Sequence, residues 1–105
     1  MISTLEKLLG TPRDGALLRY SLGLEYAKAG RHADAVEQLR EAVQRDPLYS
    51  AAWKALAKAL GDSEEALQAY GLGIEAARKK GDRQAEKEMT VFARRLEKKL
   101  RPGTG

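Results

Sequence analysis

Two runs of helix-spaced apolar residues, separated by only Gly30-Arg31-His32, constrain this chain more than anything else in it. From Ala16 to Ala29, Leu18, Leu22, Tyr26 and Ala29 recur at steps of four, four and three, one side of a helix. From about Ala33 to Arg45, Ala35, Val36, Leu39, Ala42 and Val43 recur in the same way. Gly30 suits the left-handed position just past a helix end. Asp46-Pro47 stops the second run, because proline cannot continue the hydrogen-bond ladder and restricts the residue before it. Two helices of roughly 13 residues on so short a turn must lie nearly antiparallel.

The pattern then returns. Ser50 is the expected cap of a helix through Leu60, with Trp53, Leu56, Ala57 and Leu60 on one face. Gly61-Asp62 breaks it. Ser63 caps the next helix, whose first-turn Glu64 and Glu65 suit the helix dipole and whose inward side is Ala66, Leu67, Tyr70, Ile74 and Ala77. That helix runs to about Lys80. After Gly81-Asp82 a last helix to about Leu100 carries Ala85, Met89, Phe92, Ala93, Leu96 and Leu100. Upstream, residues 3–9 are expected to form a short helix capped by Ser3 or Thr4, with Leu5, Leu8 and Leu9 on one side. Gly10-Thr-Pro-Arg-Asp-Gly15 breaks it, and Asp14 is the expected N-cap of the helix at Ala16. The 17 alanines and few β-branched residues favour helix throughout.

Counted in 34-residue units from Ala16, Leu22, Gly23, Tyr26, Ala35, Leu39, Ala42 and Pro47 fall at places 7, 8, 11, 20, 24, 27 and 32. These residues resemble the tetratricopeptide repeat consensus. The large aromatic of place 4 is missing, since Arg19 stands there. In a second unit from Ser50, Trp53, Leu56, Ala57 and Leu60 match places 4, 7, 8 and 11, and Glu65-Ala66-Leu67 and Tyr70 match the second helix. This unit is about three residues short between Leu60 and Ala66, nearly one helical turn, and it ends in Arg78 rather than proline. The resemblance implies an all-α fold, a right-handed superhelical stack of antiparallel helix pairs. Its divisions are an N-terminal segment 1–15, units 16–49 and 50–80, a closing helix 81–101 and a flexible tail 102–105. Gly23 and Ala57 lie where the helices of a unit approach, facing Ala35, Ala42 and Ala66 on the opposing helices.

At 105 residues the chain is one small domain. It has no cysteine, which rules out a disulfide framework, a thiol nucleophile and a thiolate metal site. The opening MISTLEKLLG lacks the basic region and apolar run of a signal peptide, and no stretch approaches the roughly 20 apolar residues of a membrane span. A cytoplasmic location is expected. His32, the single histidine, stands beside Asp34, but zinc needs three or four ligands and nothing supplies the rest. A turn-filling role is expected. Gly71-Leu-Gly73 has a G-x-G look but lacks the third glycine and the preceding strand of a dinucleotide loop. Close helix contact is the expected reason for both glycines. No catalytic residue, metal or cofactor is expected, and the chain is not expected to be an enzyme.

The resemblance implies non-catalytic protein–protein interaction, with the first helix of each unit lining a concave groove that binds a peptide or helix of a partner. The positions facing that groove are Leu17, Tyr20, Leu24 and Ala27, with Lys28 beside them, then Ala51, Lys54 and Lys58. The groove would be apolar and aromatic at one end and basic further on. Family members that clamp a peptide carboxylate use lysine, asparagine and arginine; this chain has no asparagine, so that clamp is not expected. Leu17, Tyr20 and Leu24 are either covered by Leu5, Leu8 and Leu9 folding back as a lid, or exposed to bind a segment of another protein or a second copy. A self-associating structural subunit is thus one alternative. The other uses the C-terminal charge: residues 1–77 carry 9 basic and 11 acidic side chains, residues 78–105 carry 10 and 4. Arg94, Arg95, Lys98 and Lys99 form a basic patch for an acidic partner or nucleic acid. Glu97 interrupts it and aromatics do not interleave it, so nucleic acid is not the expected partner.

Overall fold

Glycine and hydroxyl or carboxylate side chains set the helix boundaries. The computed structural model describes residues 1–103, which contain no strand. The helices are α1 (Ile2–Glu6), α2 (Ala16–Lys28), α3 (His32–Arg45), α4 (Ser50–Ala59), α5 (Glu64–Lys80) and α6 (Arg83–Leu100). At Gly30, φ is 77°; its N–H donates to the Ala27 carbonyl and that of Arg31 to the Tyr26 carbonyl. This pair of bonds satisfies carbonyls that the helix end leaves open. Gly81 does the same for α5, with the Asp82 N–H donating to the Ala77 carbonyl at 2.8 Å. Ser63 accepts from the Ala66 N–H at the start of α5, as expected, and Asp82 accepts from the Ala85 N–H at the start of α6.

α2 packs on α3 and α4 on α5 as hairpins, α3 packs on α4, and α6 closes the stack against α5. The core lies between these layers, with Leu22, Leu39 and Met89 fully buried. Each such side chain contributes roughly 1.5–3 kcal/mol of transfer free energy. Small residues set the spacing. A Cβ on Gly23 would stand 2.6 Å from Leu39 Cγ, so α2 and α3 meet across this glycine. Gly73 occupies the junction of three helices, where a Cβ would lie 2.6 Å from Met89 Sδ and 2.7 Å from Trp53 Cβ. Gly71 is different from the expectation: it is exposed and a Cβ there would meet nothing within 4 Å. No helix among the described residues is long and apolar enough to cross a membrane.

Other local expectations are corrected by tertiary partners. Asp14 does not cap α2; Gly15 holds that position without a side-chain bond. Ser50 is inside α4, with Tyr49 at the cap position, and its hydroxyl donates to Asp82 Oδ2 at 2.8 Å. Ala29 is exposed at the end of α2 rather than part of the buried stripe. α1 ends at Glu6, short of the expected residue 9, and Met1 precedes it without a capping bond from Ser3 or Thr4. α1 lies against the flank of α2 that carries Glu25 and Ala29, where Met1, Ile2 and Ser3 share a cleft with them, and the Tyr26 hydroxyl donates to Glu6. It therefore covers the side of α2 away from Tyr20 and Leu24. Of the expected tail, Thr104 and Gly105 lie outside the described residues.

Arg19, which stands where the consensus has an aromatic, is held by charge instead. Its guanidinium donates to both Asp14 oxygens at 2.9 Å and to Gln38 Oε1 at 3.0 Å. Trp53 takes the equivalent place in the second unit and donates from Nε1 to the Pro47 carbonyl at 2.9 Å. The Arg19 hydrogen bonds and the Gly10 N–H hold the Asp14 carboxyl well below the usual carboxylate range. The Ser50 hydroxyl and the Ala85 N–H lower Asp82 similarly. A carboxylate lowered by donors that exist only in the folded chain adds stability that is complete above its unfolded value, 3.8, and is lost as pH falls through the folded value. Asp14→Asn is therefore expected to lower the urea midpoint at pH 7, with the gap to wild type closing as pH falls below 3.8. A gap that stays constant down to acid would show that the Asp14 charge contributes nothing.

Candidate functional site

Helices α2 and α4 bring most of the expected groove residues together. Tyr20, Leu24 and Ala27 of α2 and Ala51, Lys54 and Lys58 of α4 line one open cavity of about 290 Å³. The spacing follows from helix geometry: Tyr20, Leu24 and Ala27 step by four and three, and Ala51, Ala55 and Ala59 by four, so each set forms one stripe. Small alanines on α4 keep the floor low, and buried Leu39 closes it from α3. Tyr20 is fixed by Tyr49, whose ring centroid lies 4.9 Å away at 43°. Burial raises the Tyr49 hydroxyl above its ordinary value, with Tyr20 adding to the effect. The phenol is thus neutral throughout the physiological range, and its ring supports Tyr20 from outside the cavity.

Two expected groove residues are elsewhere. Leu17 is 68% exposed and lies outside the cavity. Lys28 pairs with Glu25 at 3.4 Å on the cleft beside α1. Of the two alternatives for the Leu17, Tyr20 and Leu24 stripe, a cover of Leu5, Leu8 and Leu9 does not reach this cavity, since no residue before Tyr20 lines it. His32, expected only to fill a turn, opens α3 and stands at the cavity rim. The signal for His32 and for Ala55 and Ala59 was available in the helical spacing, but only the turn geometry shows which face His32 reaches.

Cations on α4 connect the groove to α6. Lys54 Nζ lies 3.5 Å from Glu88, and Lys58 Nζ lies 4.8 Å over the Phe92 ring. The basic patch splits into two. Arg95 and Lys99, though exposed, line the edge of a second cavity with Phe92 and Lys58, whereas Arg94 and Lys98 lie outside it. Tyr70 and Phe92 form the aromatic floor of this cavity, with ring centroids 6.1 Å apart. Burial raises the Tyr70 hydroxyl above its ordinary value. Tyr70 and Phe92 read as core from their spacing; Tyr70 is buried as expected, whereas Phe92 is only half-buried.

The two cavities are lined by aromatic, aliphatic and mostly cationic side chains. Among the described residues no group of histidine and carboxylate side chains is placed to hold a metal ion. The buried Ser50 hydroxyl is bonded to Asp82, which is engaged in capping α6.

Comparison with known proteins agrees with the fold. A sequence model described as the tetratricopeptide repeat matches residues 16–59. A TPR repeat-containing protein of Pseudomonas aeruginosa is 50% identical over 101 residues, covering 93% of this chain and 96% of that protein. The solution structure of a Bordetella parapertussis protein superposes with a TM-score of 0.79 at 42% identity, over 96% of this chain and 92% of the other. A tetratricopeptide repeat domain protein from Salinibacter ruber has a TM-score of 0.73 at 28% identity, over 80% and 97%.

Proposed function

The chain belongs to the tetratricopeptide repeat family, and on that premise we propose that it is a non-catalytic module that takes a peptide or helix of a partner protein into the groove between α2 and α4. The family generally mediates contacts between proteins on a scaffold that is typically without catalysis. The observation that carries the reading is the convergence of Tyr20, Leu24 and Ala27 with Ala51, Lys54 and Lys58 on one open cavity. Aromatic and aliphatic surface there supplies desolvation energy, and the lysines supply orientation.

Tyr20→Ala with Lys54→Glu is expected to abolish partner capture while leaving the helical content and cooperative melting intact. Both side chains are only half-buried and sit on the inner surface. The test is crosslinking and mass spectrometry of the tagged chain in its native cell, wild type beside the double variant. A partner set retained at full strength by the variant would remove the groove from consideration. The exposure of Leu17 next to the groove favours one competing reading, self-association through this face of α2. Light scattering that shows a monomer across a concentration series removes it.

A further inference from the structure

α4 and α6 run side by side from a common origin. Ser50 bonds to Asp82 at their starts, then Lys54 meets Glu88 and Lys58 meets Phe92. α4 stops at Ala59, whereas α6 continues to Leu100, about two turns further. The short second unit is the cause: α4 has 10 residues where α2 has 13. A full-length α4 would lay its last turn over Tyr70 and Phe92. Here Gly61 and Asp62 form one edge of an opening between the end of α4 and the second half of α6, with half-buried Phe92 and largely buried Tyr70 at its floor.

The rim of that opening is charged. Lys58, Arg95 and Lys99 stand around it with Asp62, a net charge of +2. Asp62 engages Lys99 at 3.4 Å and Lys58 lies over the Phe92 ring. Arg95 has no ion-pair partner among the described residues. Three cations on an aromatic floor suit a carboxylate carried by an apolar segment: the guanidinium bonds the anion and the rings cover the adjoining carbon chain. Lys58 also lines the first cavity, so the two openings adjoin along α4.

We propose that this second cavity is an acidic-residue subsite of the groove, so that the partner segment is amphipathic and acidic: an apolar side chain sits against Tyr20 and Leu24, and an aspartate or glutamate further along enters between Lys58, Arg95 and Lys99. The inference rests on the groove reading above. It differs from the family's carboxylate clamp in position and in parts, because its cations come from the ends of α4 and α6 and it uses no asparagine.

The test is selection of a random-peptide display library on the full chain, followed by fluorescence anisotropy of the recovered peptides made synthetically. Wild type is expected to recover peptides with an aspartate or glutamate spaced from an apolar anchor. Arg95→Glu with Lys99→Glu changes the rim from +2 to −2 and is expected to weaken those peptides on the order of tenfold or more and to select basic residues instead. Both side chains are exposed, so folding is preserved; the milder Arg95→Gln, expected to weaken acidic peptides alone, guards against a folding artefact. Peptides recovered without acidic residues, or unaffected by the reversal, would overturn the subsite while leaving the groove. No peptides recovered at all would overturn both. A fluorescent single-stranded oligonucleotide that binds wild type at low salt in place of acidic peptides, and is lost on reversal, would assign the cavity to phosphate and overturn the proposal.

Discussion

Alanine at Gly73 is expected to destabilise this protein, and alanine at Gly71, two residues earlier in the same helix, to stabilise it. Both glycines are inside α5, so each replacement regains about 1 kcal/mol of helix preference. At Gly71 nothing opposes that gain, because the new methyl meets no atom within 4 Å. At Gly73 the methyl would stand 2.7 Å from Trp53 Cβ and 2.6 Å from Met89 Sδ. The thioether can move, but Met89 is fully buried with little room. Trp53 Cβ is attached to the backbone of α4, so relieving that contact means shifting a helix. Such overpacking costs about 1–3 kcal/mol and sometimes more, which exceeds the propensity gain. In thermal melts of a domain this size, 1 kcal/mol moves the midpoint by roughly 4–8 °C. Midpoints shifted the same way in both variants would contradict the three-helix junction at Gly73.

Leu39→Ala is expected to be the most damaging single truncation, at about 2–5 kcal/mol. Leu39 is fully buried on α3, its Cγ faces Gly23 of α2, and its side chain closes the floor of the groove. The same contact makes a sharper test. Gly23→Ala alone would press a methyl to 2.6 Å from Leu39 Cγ and 2.8 Å from Cδ2. With Leu39 truncated those two atoms are gone, and the next contact, the Ala35 carbonyl at 3.4 Å, is close to ordinary contact. The double variant is therefore expected to be more stable than the sum of the singles predicts, by on the order of 1 kcal/mol. Additivity in urea denaturation would show that α2 and α3 do not meet through this pair.

These two cases illustrate how far local pattern reaches. The sequence identifies Gly23 as a close approach because it sits in a helical stripe between Leu22 and Tyr26, and the structure supplies its partner. Gly71 and Gly73 look alike in sequence. They lie two residues apart, some 200° around the helix, so one faces the three-helix junction and the other faces solvent. Asp14 shows the opposite limit. Its type and position are those of a cap, but Arg19 and the Gly10 N–H take its oxygens. Ser50 is taken in the same way by Asp82, a residue on the far side of a hairpin. Short-range rules for polar side chains fail where a distant partner offers a stronger bond.

The groove divides along the same line. Tyr20, Leu24, Ala51, Lys54 and Lys58 were readable because a helix repeats every 3.6 residues and the inner helices recur at a fixed interval. Leu17 satisfied the same arithmetic, with Lys28 expected beside the stripe, and both stand outside the cavity, because the boundary of a concave surface depends on where the neighbouring helix ends.

The sequence by itself determined the helices, their breaks, the repeat and therefore the family, since each rests on periodicity and on glycine, serine and proline chemistry within a few residues. Only the tertiary structure decided that α1 leaves the groove uncovered, that Gly73 rather than Gly71 carries the packing, and that the shortened α4 opens a basic aromatic cavity against α6. Those outcomes depend on which surfaces meet across the stack. Burial and electrostatic attraction act between residues brought together by folding, at distances along the chain that no local pattern records.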